Sequence, residues 1–353
     1  MKRRIAFVRQ WYLPPSETFI YEELKNIKRH KPIVFGRRMM NLNLFPYPRI
    51  QKLPRKEEKI IELMKKNNIE LIHARFGSAG MKLVEVKKAL DIPMITSFHG
   101  HDVPARQNEK YLQKLRPLFQ FGELFTVPCL YMKKLLVDAD CPESKVHVMY
   151  SGIDMGKFAF RERDKKTKGI RVVAVGRLHK KKGFDYLIRA FQGVKEKHPS
   201  SELVIVGWGD ERDALEALIE QSGLKGSVQL KGIQKHDAVA KELQKADIFC
   251  LPSITTEDGN HEGIPNAIKE AMATGLPVVS TSHAGIPELV ADGEEGFLVP
   301  ERSVARLAEK IGLLIEEPKL RRTMGAKGHE KVKTEFNSAN QVKKLESLYE
   351  SLL

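Results

Sequence analysis

The chain has 353 residues, of which 42% are hydrophobic and 30% charged, with a net charge of +15. That composition is globular, and the length suits two domains. No run approaches the ~20 apolar residues needed to span a bilayer, and the N-terminal "MKRRIAFVRQWYLPP" is too short in its apolar part for a secretory leader. The three scattered cysteines, Cys129, Cys141 and Cys250, make no metal spacing and fit a reducing, cytoplasmic compartment.

In chain order, short apolar runs alternate with helical patterns. Strands are predicted at 5–8, 33–35, 71–73, 94–98, 124–128 and 146–150, with helices at 17–27, 57–66 and 81–89. A charged, aperiodic stretch follows, "RERDKKTKG" at 161–169, and reads as a linker. The rhythm then repeats, with strands at 171–175, 202–206, 228–231, 248–251, 277–280 and 296–298. Helices are expected between them, for example at 186–197, 210–222 and 239–245. Strands separated by helices imply βαβ units and parallel sheets. The expectation is therefore two doubly wound α/β domains, 1–165 and 166–335. An amphipathic helix within 336–353, apolar at Val342, Leu345, Leu348, Tyr349 and Leu352, would return to the first domain. Ligands of such sheets bind beyond the carboxyl ends of the strands.

The charge is uneven. Residues 1–88 hold 21 basic and 8 acidic residues, a balance of +13, so nearly all the excess lies in the first quarter. One reading is a solvated basic surface. The other is attraction to an anionic partner such as a membrane surface. No nucleic-acid recognition module is present, so no nucleic-acid partner is expected.

The stretch "EGIPNAIKEAMATGLPVVST" at 262–281 carries the most chemistry. Pro265 suits a helix start, and Gly263 and Ile264 lead into it. A helix over 265–273 leaves free N–H groups at Asn266, Ala267 and Ile268, which is an anion site. Glu262 stands before this helix. Glu270 stands inside it among apolar neighbours, where a carboxylate needs a hydrogen-bonding partner such as a ribose diol. An ordinary helix-end carboxylate plus a surface glutamate would also explain the spacing. "VGRLHKKKGFDYLIRA" adds Arg177 and Lys182 in a strand-to-helix loop, two cations able to neutralise a diphosphate. Lys180 and Lys181 are expected in solvent. Gly207 and Gly209 make another turn.

"GRLHKKKGFDYLI", "PSITTEDGNHEGIPNAIKEAMATGLPVVST", "GIPELVADGEEGFLVP" and "MYSGIDMGKF" together resemble the motifs of retaining glycosyltransferases of family 4, also called group 1. The resemblance covers the second domain and implies the GT-B fold, two Rossmann-like domains facing across a cleft. It implies that Glu262 contacts donor-sugar hydroxyls, that Glu270 contacts the nucleotide ribose, and that Arg177 and Lys182 bind the diphosphate. Leu230, in "VQLKG" at 228–232, falls where the family holds the base.

The first domain is less typical. "PPSETFI" replaces the family's Gly-rich loop and, with "TSFHGHDVP", is similar to the exopolysaccharide branch, which includes colanic-acid-type transferases. Ser16, Glu17 and Thr18 are acceptor-side candidates; capping of the helix alone is the alternative for Ser16. His99 matches the family's histidine near the donor sugar, and His101 and Asp102 follow on the acceptor side.

The pair Asp138 and Asp140 forms a DxD, and Glu257, Asp258, Asn260 and His261 are polar. Both read as ordinary loops, so no metal or other cofactor is expected. The resemblance implies transfer of a sugar from a nucleotide diphosphate donor to a saccharide or polyprenyl-diphosphate-linked acceptor, with closure of the two domains. A nucleotide-sugar epimerase or phosphorylase of the same fold, and a non-catalytic basic membrane-binding module, are the alternatives.

Overall fold

The computed structural model describes residues 2–14, 17–102, 109–163 and 168–353, with His101 described in its backbone alone. It divides into two compact units: Met1–Ile153 with Asn337–Leu353, and Asp154–Phe336.

The first unit is built on a parallel sheet of seven strands. They are β1 (Arg4–Tyr12), β2 (Lys31–Met39), β3 (Ile50–Lys52), β4 (Leu71–Arg75), β5 (Met94–Ser97), β6 (Leu124–Val127) and β7 (Val146–Val148), in the order β3-β2-β1-β4-β5-β6-β7. The chain starts in the middle, runs outward to β3, then returns to the other side of β1. The switch point lies between β1 and β4, where such sheets bind ligands. Strand β3 was not expected. It has three half-exposed or exposed residues and no apolar run, and it is held as an edge by pairing Ile50 with Val34.

The pattern at 81–89 forms two helices, Gly77–Met81 and Val84–Leu90. The C-terminal helix Ser338–Glu350 belongs to the first unit. Its Val342, Leu345 and Tyr349 pack on Ile5, Leu71, Ile95 and Leu124 of the sheet. Glu346 anchors it further, accepting from the Lys28 and Arg29 amides at 3.0 and 2.6 Å.

The second unit has six parallel strands: β8 (Arg171–Val175), β9 (Glu202–Val206), β10 (Val228–Leu230), β11 (Ile248–Leu251), β12 (Val278–Thr281) and β13 (Gly296–Val299), in the order β10-β9-β8-β11-β12-β13. The switch point lies between β8 and β11. Central strands β11 and β12 are buried throughout, as a parallel sheet covered on both faces requires. The helix Phe184–Lys197 buries Phe184, Leu187, Ile188, Phe191 and Val194. That is one stripe at helical spacing, each large side chain contributing about 1.5–3 kcal/mol.

The units divide at Ile153 and Asp154, not in the charged stretch. Side chains just before it and at its start have partners in the second unit. Arg163 is buried and donates to the carbonyls of Gln244 and Ala246 at 2.9 and 3.0 Å. Phe160 lies against the ring of His329 at 4.7 Å. Charge and the lack of an apolar period made 161–169 look like a linker, but the guanidinium of Arg163 satisfies carbonyls of the second unit.

Candidate active site

Loops leaving the carboxyl ends of β8, β11 and β12 build the site in the second unit. The β8 loop ends in a single 3-10 turn, Lys180–Lys182, closed by Gly183 in the left-handed region at φ 64°. The Lys181 amide donates to His179 Nδ1 at 3.3 Å, and the Lys181 carbonyl accepts from the Ile254 amide at 2.9 Å. These bonds tie the β8 loop to the β11 loop.

The turn presents both lysines to one carboxylate. Lys181 Nζ lies 3.2 Å from Glu262 Oε1, and Lys182 Nζ lies 3.2 Å from Oε2. Lys181 is thus a site residue rather than a solvated one. The Lys182 stem runs over Gly176, where an added Cβ would stand 3.4 Å from Cδ.

The Glu262 side chain is only 12% exposed. Burial pushes its pKa upward, but Lys182 and then Lys181 outweigh burial and hold it at about 2. A carboxyl depressed on folding contributes stability that is full above its unfolded value and is lost as pH falls toward the folded one. The shift corresponds to about 3 kcal/mol. Wild type should therefore lose about 3 kcal/mol relative to Glu262→Gln between about pH 5 and about pH 2, measured by denaturant unfolding at each pH.

The backbone of Glu262 is fixed as well. Its N–H donates to His283 Nε2 at 3.0 Å, and His283 Nδ1–H donates to Glu301 Oε1 at 2.6 Å. Glu301 in turn accepts from the Thr255 amide at 3.0 Å. Because Nε2 is an acceptor, the ring is neutral with its proton on Nδ1. Burial lowers its pKa further than Glu301 raises it. Next to it, the Gly285 amide donates to the Gly263 carbonyl at 3.2 Å.

Half-buried Gly263 and Ile264 then lead to Pro265, which caps the helix Asn266–Ala273 from outside with ψ 126° instead of forming its first residue. The Ile268 amide turns back to the Pro265 carbonyl at 3.1 Å. The amides of Asn266 and Ala267 donate to no backbone carbonyl among the described residues. They add to the positive end of the helix.

Glu270 is 7% exposed, and its Oε1 lies 2.9 Å from His236 Nε2. His236 opens the helix His236–Lys245 and packs edge-on against Phe158 at 5.1 Å. It is 34 residues upstream of Glu270, and no local signal in the sequence points to it. Arg177 is exposed and makes no ion pair among the described residues. Leu230 is half-buried at the end of edge strand β10.

In the first unit, His99 follows β5 and is half-buried between Phe19 and Phe76, with ring centroids 5.4 and 5.0 Å away. Arg75 donates to His99 Nε2 at 2.9 Å and pairs with Glu23 at 2.5 Å. Arg75 is 1% exposed and aligns the imidazole from behind. Asp102 is also buried. Its carboxylate accepts from the Gly77 amide at 2.6 Å and from the His99 amide, so it fastens the His99 turn instead of presenting a free carboxylate.

Ser16 lies outside the described residues, as does the His101 side chain. The helix begins at Thr18, with Glu17 in the cap position and no side-chain cap bond. Glu17 is held by Arg9, whose Nε donates to Oε2 at 3.1 Å. Asp138 pairs with Lys134 at 2.8 Å. Asp258 is taken up by the Asn260 amide at 3.3 Å and the Thr256 hydroxyl.

A carboxylate flanked by two ammoniums and a helix start, at the switch point of a doubly wound sheet, is an arrangement suited to an anionic ligand. Residues 157–331 match the family described as Glycosyl transferases group 1, and residues 14–157 match Glycosyltransferase Family 4.

The amylovoran biosynthesis glycosyltransferase AmsK of Erwinia amylovora is 34% identical over 81% of this chain and 70% of its own length. The putative colanic acid biosynthesis glycosyltransferase WcaL of Escherichia coli is 34% identical over 79% and 70%. Among solved structures, Anabaena HepE, crystallised with UDP, superposes with a TM-score of 0.87 at 18% identity, over 99% of this chain and 100% of that one. This chain belongs to the family 4 (group 1) glycosyltransferases and has their GT-B fold.

Proposed function

We propose that this glycosyltransferase moves a hexosyl group from a UDP- or GDP-linked donor to a saccharide carried on a polyprenyl diphosphate, with retention at the anomeric carbon, in the synthesis of a cell-surface polysaccharide. The pairing of Lys181 and Lys182 with the single carboxylate Glu262, beside the start of the helix Asn266–Ala273, carries this reading. The names of the two bacterial relatives support the polysaccharide assignment.

In the reaction the bond from the anomeric carbon to the β-phosphate oxygen breaks. Negative charge develops on that phosphate, which Lys182, Lys181, Arg177 and the Asn266 and Ala267 amides are suited to compensate. A new bond forms from the acceptor hydroxyl oxygen to the same face of the anomeric carbon, and the hydroxyl proton passes to the leaving phosphate. Glu262 receives donor-sugar hydroxyls, and Glu270, displaced from His236, receives the ribose diol. Charge compensation by these side chains requires no metal. In the first unit, Arg75 holds the His99 ring by donating to its Nε2.

A thermal-shift screen of UDP, GDP, ADP and their sugars tests the reading. A native-state ligand at a hundredfold excess over Kd adds about 2.7 kcal/mol of apparent stability. Lys182→Ala should remove most of that shift, and its ligand-free midpoint should fall because buried Glu262 loses the larger of its two compensating charges. Absence of any shift with all three nucleotides would overturn the proposal.

A further inference from the structure

The carboxyl ends of β1, β2 and β3 form an open groove of about 800 Å³ lined by Gln10, Trp11, Arg37, Arg38, Lys52, Leu53, Pro54 and Arg55. It contains four cations and no carboxylate. None of the four makes an ion pair among the described residues, and Arg37 Nε is buried without a hydrogen-bond partner. Arg38 sits opposite Trp11 in the strand ladder and stacks over its indole at 5.3 Å. Such a concentration of unneutralised cations attracts anions, and the planar forks of its three arginines match phosphate oxygens.

The groove has an apolar neighbour. Trp11, Met40, Leu42 and Leu44 are 50%, 39%, 45% and 56% exposed. The loop carrying the last three is not loose. Phe45 is buried, Tyr12 donates from its hydroxyl to the Phe45 carbonyl at 2.8 Å, and Asn41 donates to the Leu13 carbonyl at 3.0 Å. These anchors hold Leu42 and Leu44 in water, two residues apart. Solvated leucines beside a fixed indole and a row of arginines suit an interface where headgroup phosphates meet acyl chains.

We propose that this face is a monotopic docking surface for an anionic bilayer. Arg37, Arg38, Lys52 and Arg55 would take lipid headgroup phosphates, and Trp11, Met40, Leu42 and Leu44 would enter the acyl boundary. The inference deepens the proposed function by bringing the enzyme to the surface that holds a lipid-linked acceptor. It is tested without donor or turnover, so its failure leaves the transfer reading untouched, and failure of that reading leaves it standing.

The experiment is co-sedimentation of the full chain with phosphatidylcholine vesicles and with vesicles containing phosphatidylglycerol, across salt. Wild type should bind the anionic vesicles and lose binding as salt rises. At about fivefold per charge, combined substitution of Arg37, Arg38, Lys52 and Arg55 by glutamine should lower partition by about a hundredfold or more. Trp11→Ser with Leu42→Ser and Leu44→Ser should weaken binding at every salt concentration. A control replacing Lys59, Lys65 and Lys66 of the helix Glu57–Lys66 by glutamine should have a smaller effect. Unchanged thermal midpoints would show that the variants are folded.

Three results would overturn the proposal: equal binding to neutral and anionic vesicles, an equal loss in the control, or full binding by the apolar variant together with displacement by millimolar inorganic diphosphate. The last would assign the groove to a soluble anion.

Discussion

Glu262→Gln is expected to lower kcat by about a hundred- to a thousandfold while UDP or GDP binds as tightly as to wild type, or more tightly. The split follows from the geometry. Glu262 bridges two ammoniums, each 3.2 Å away. Opposite charges about 4 Å apart are worth about 4 kcal/mol at an effective dielectric of about 20, so a diphosphate must compete with the carboxylate for both lysines.

Glutamine keeps the shape and leaves the backbone bond to His283 intact, but it withdraws that competitor and leaves two repelling cations for the phosphates to satisfy. What it removes is the anion proposed to receive sugar hydroxyls, which also holds the two lysines together. Steady-state turnover with acceptor, set beside calorimetric Kd for the free nucleotide, separates these effects. A parallel loss of both would place Glu262 in diphosphate binding alone. Unchanged turnover would remove it from the reaction.

What the sequence reveals of this site depends on how local each determinant is. The strands were legible because a parallel sheet covered on both faces reads as unbroken apolar runs, as at Ile248–Leu251 and at 203–206. Strand β3 was not, since its pairing with β2 is decided by the neighbour and not by its own three residues. The interval between Glu262 and Glu270 was visible along the chain because a helix start fixes both.

The role of Lys181 was not visible. Three consecutive lysines carry no periodicity, and only the 3-10 turn ending at Gly183 determines which of them reach Glu262. His283 and Glu301, which hold the Glu262 backbone, and His236, which holds Glu270, come from elements 18–34 residues away from their partners. A lone histidine in such a position looks in sequence like any satisfied core residue. Arg163 shows the converse case, since a residue in a strongly charged stretch is buried once carbonyls are available to its guanidinium.

Gly183→Ala should damage stability and nucleotide binding together, which distinguishes it from Glu262→Gln. Gly183 has φ 64°, and a Cβ there would lie 2.1 Å from the carbonyl oxygen of Pro252. The left-handed backbone alone costs an L-residue about 1–2 kcal/mol, and forcing a methyl group against a packed neighbour adds about 1–3 kcal/mol. The carbonyl belongs to the loop after β11, so relief requires that loop and the β8 loop to separate. The same separation stretches the bond from the Ile254 amide to the Lys181 carbonyl, 2.9 Å long, and draws both lysines off Glu262.

The expected result is a loss of about 2–5 kcal/mol by denaturant unfolding, with UDP or GDP affinity falling at least as far as in Lys182→Ala. Gly223→Ala provides the comparison. Its φ is similar, at 67°, but nothing stands within 4 Å of the added carbon, so it should show the backbone cost alone and leave nucleotide affinity unchanged. Equal losses in the two alanine variants would mean that the contact with Pro252 does not govern the lysine turn, and that Lys181 and Lys182 are positioned by the Glu262 charge itself.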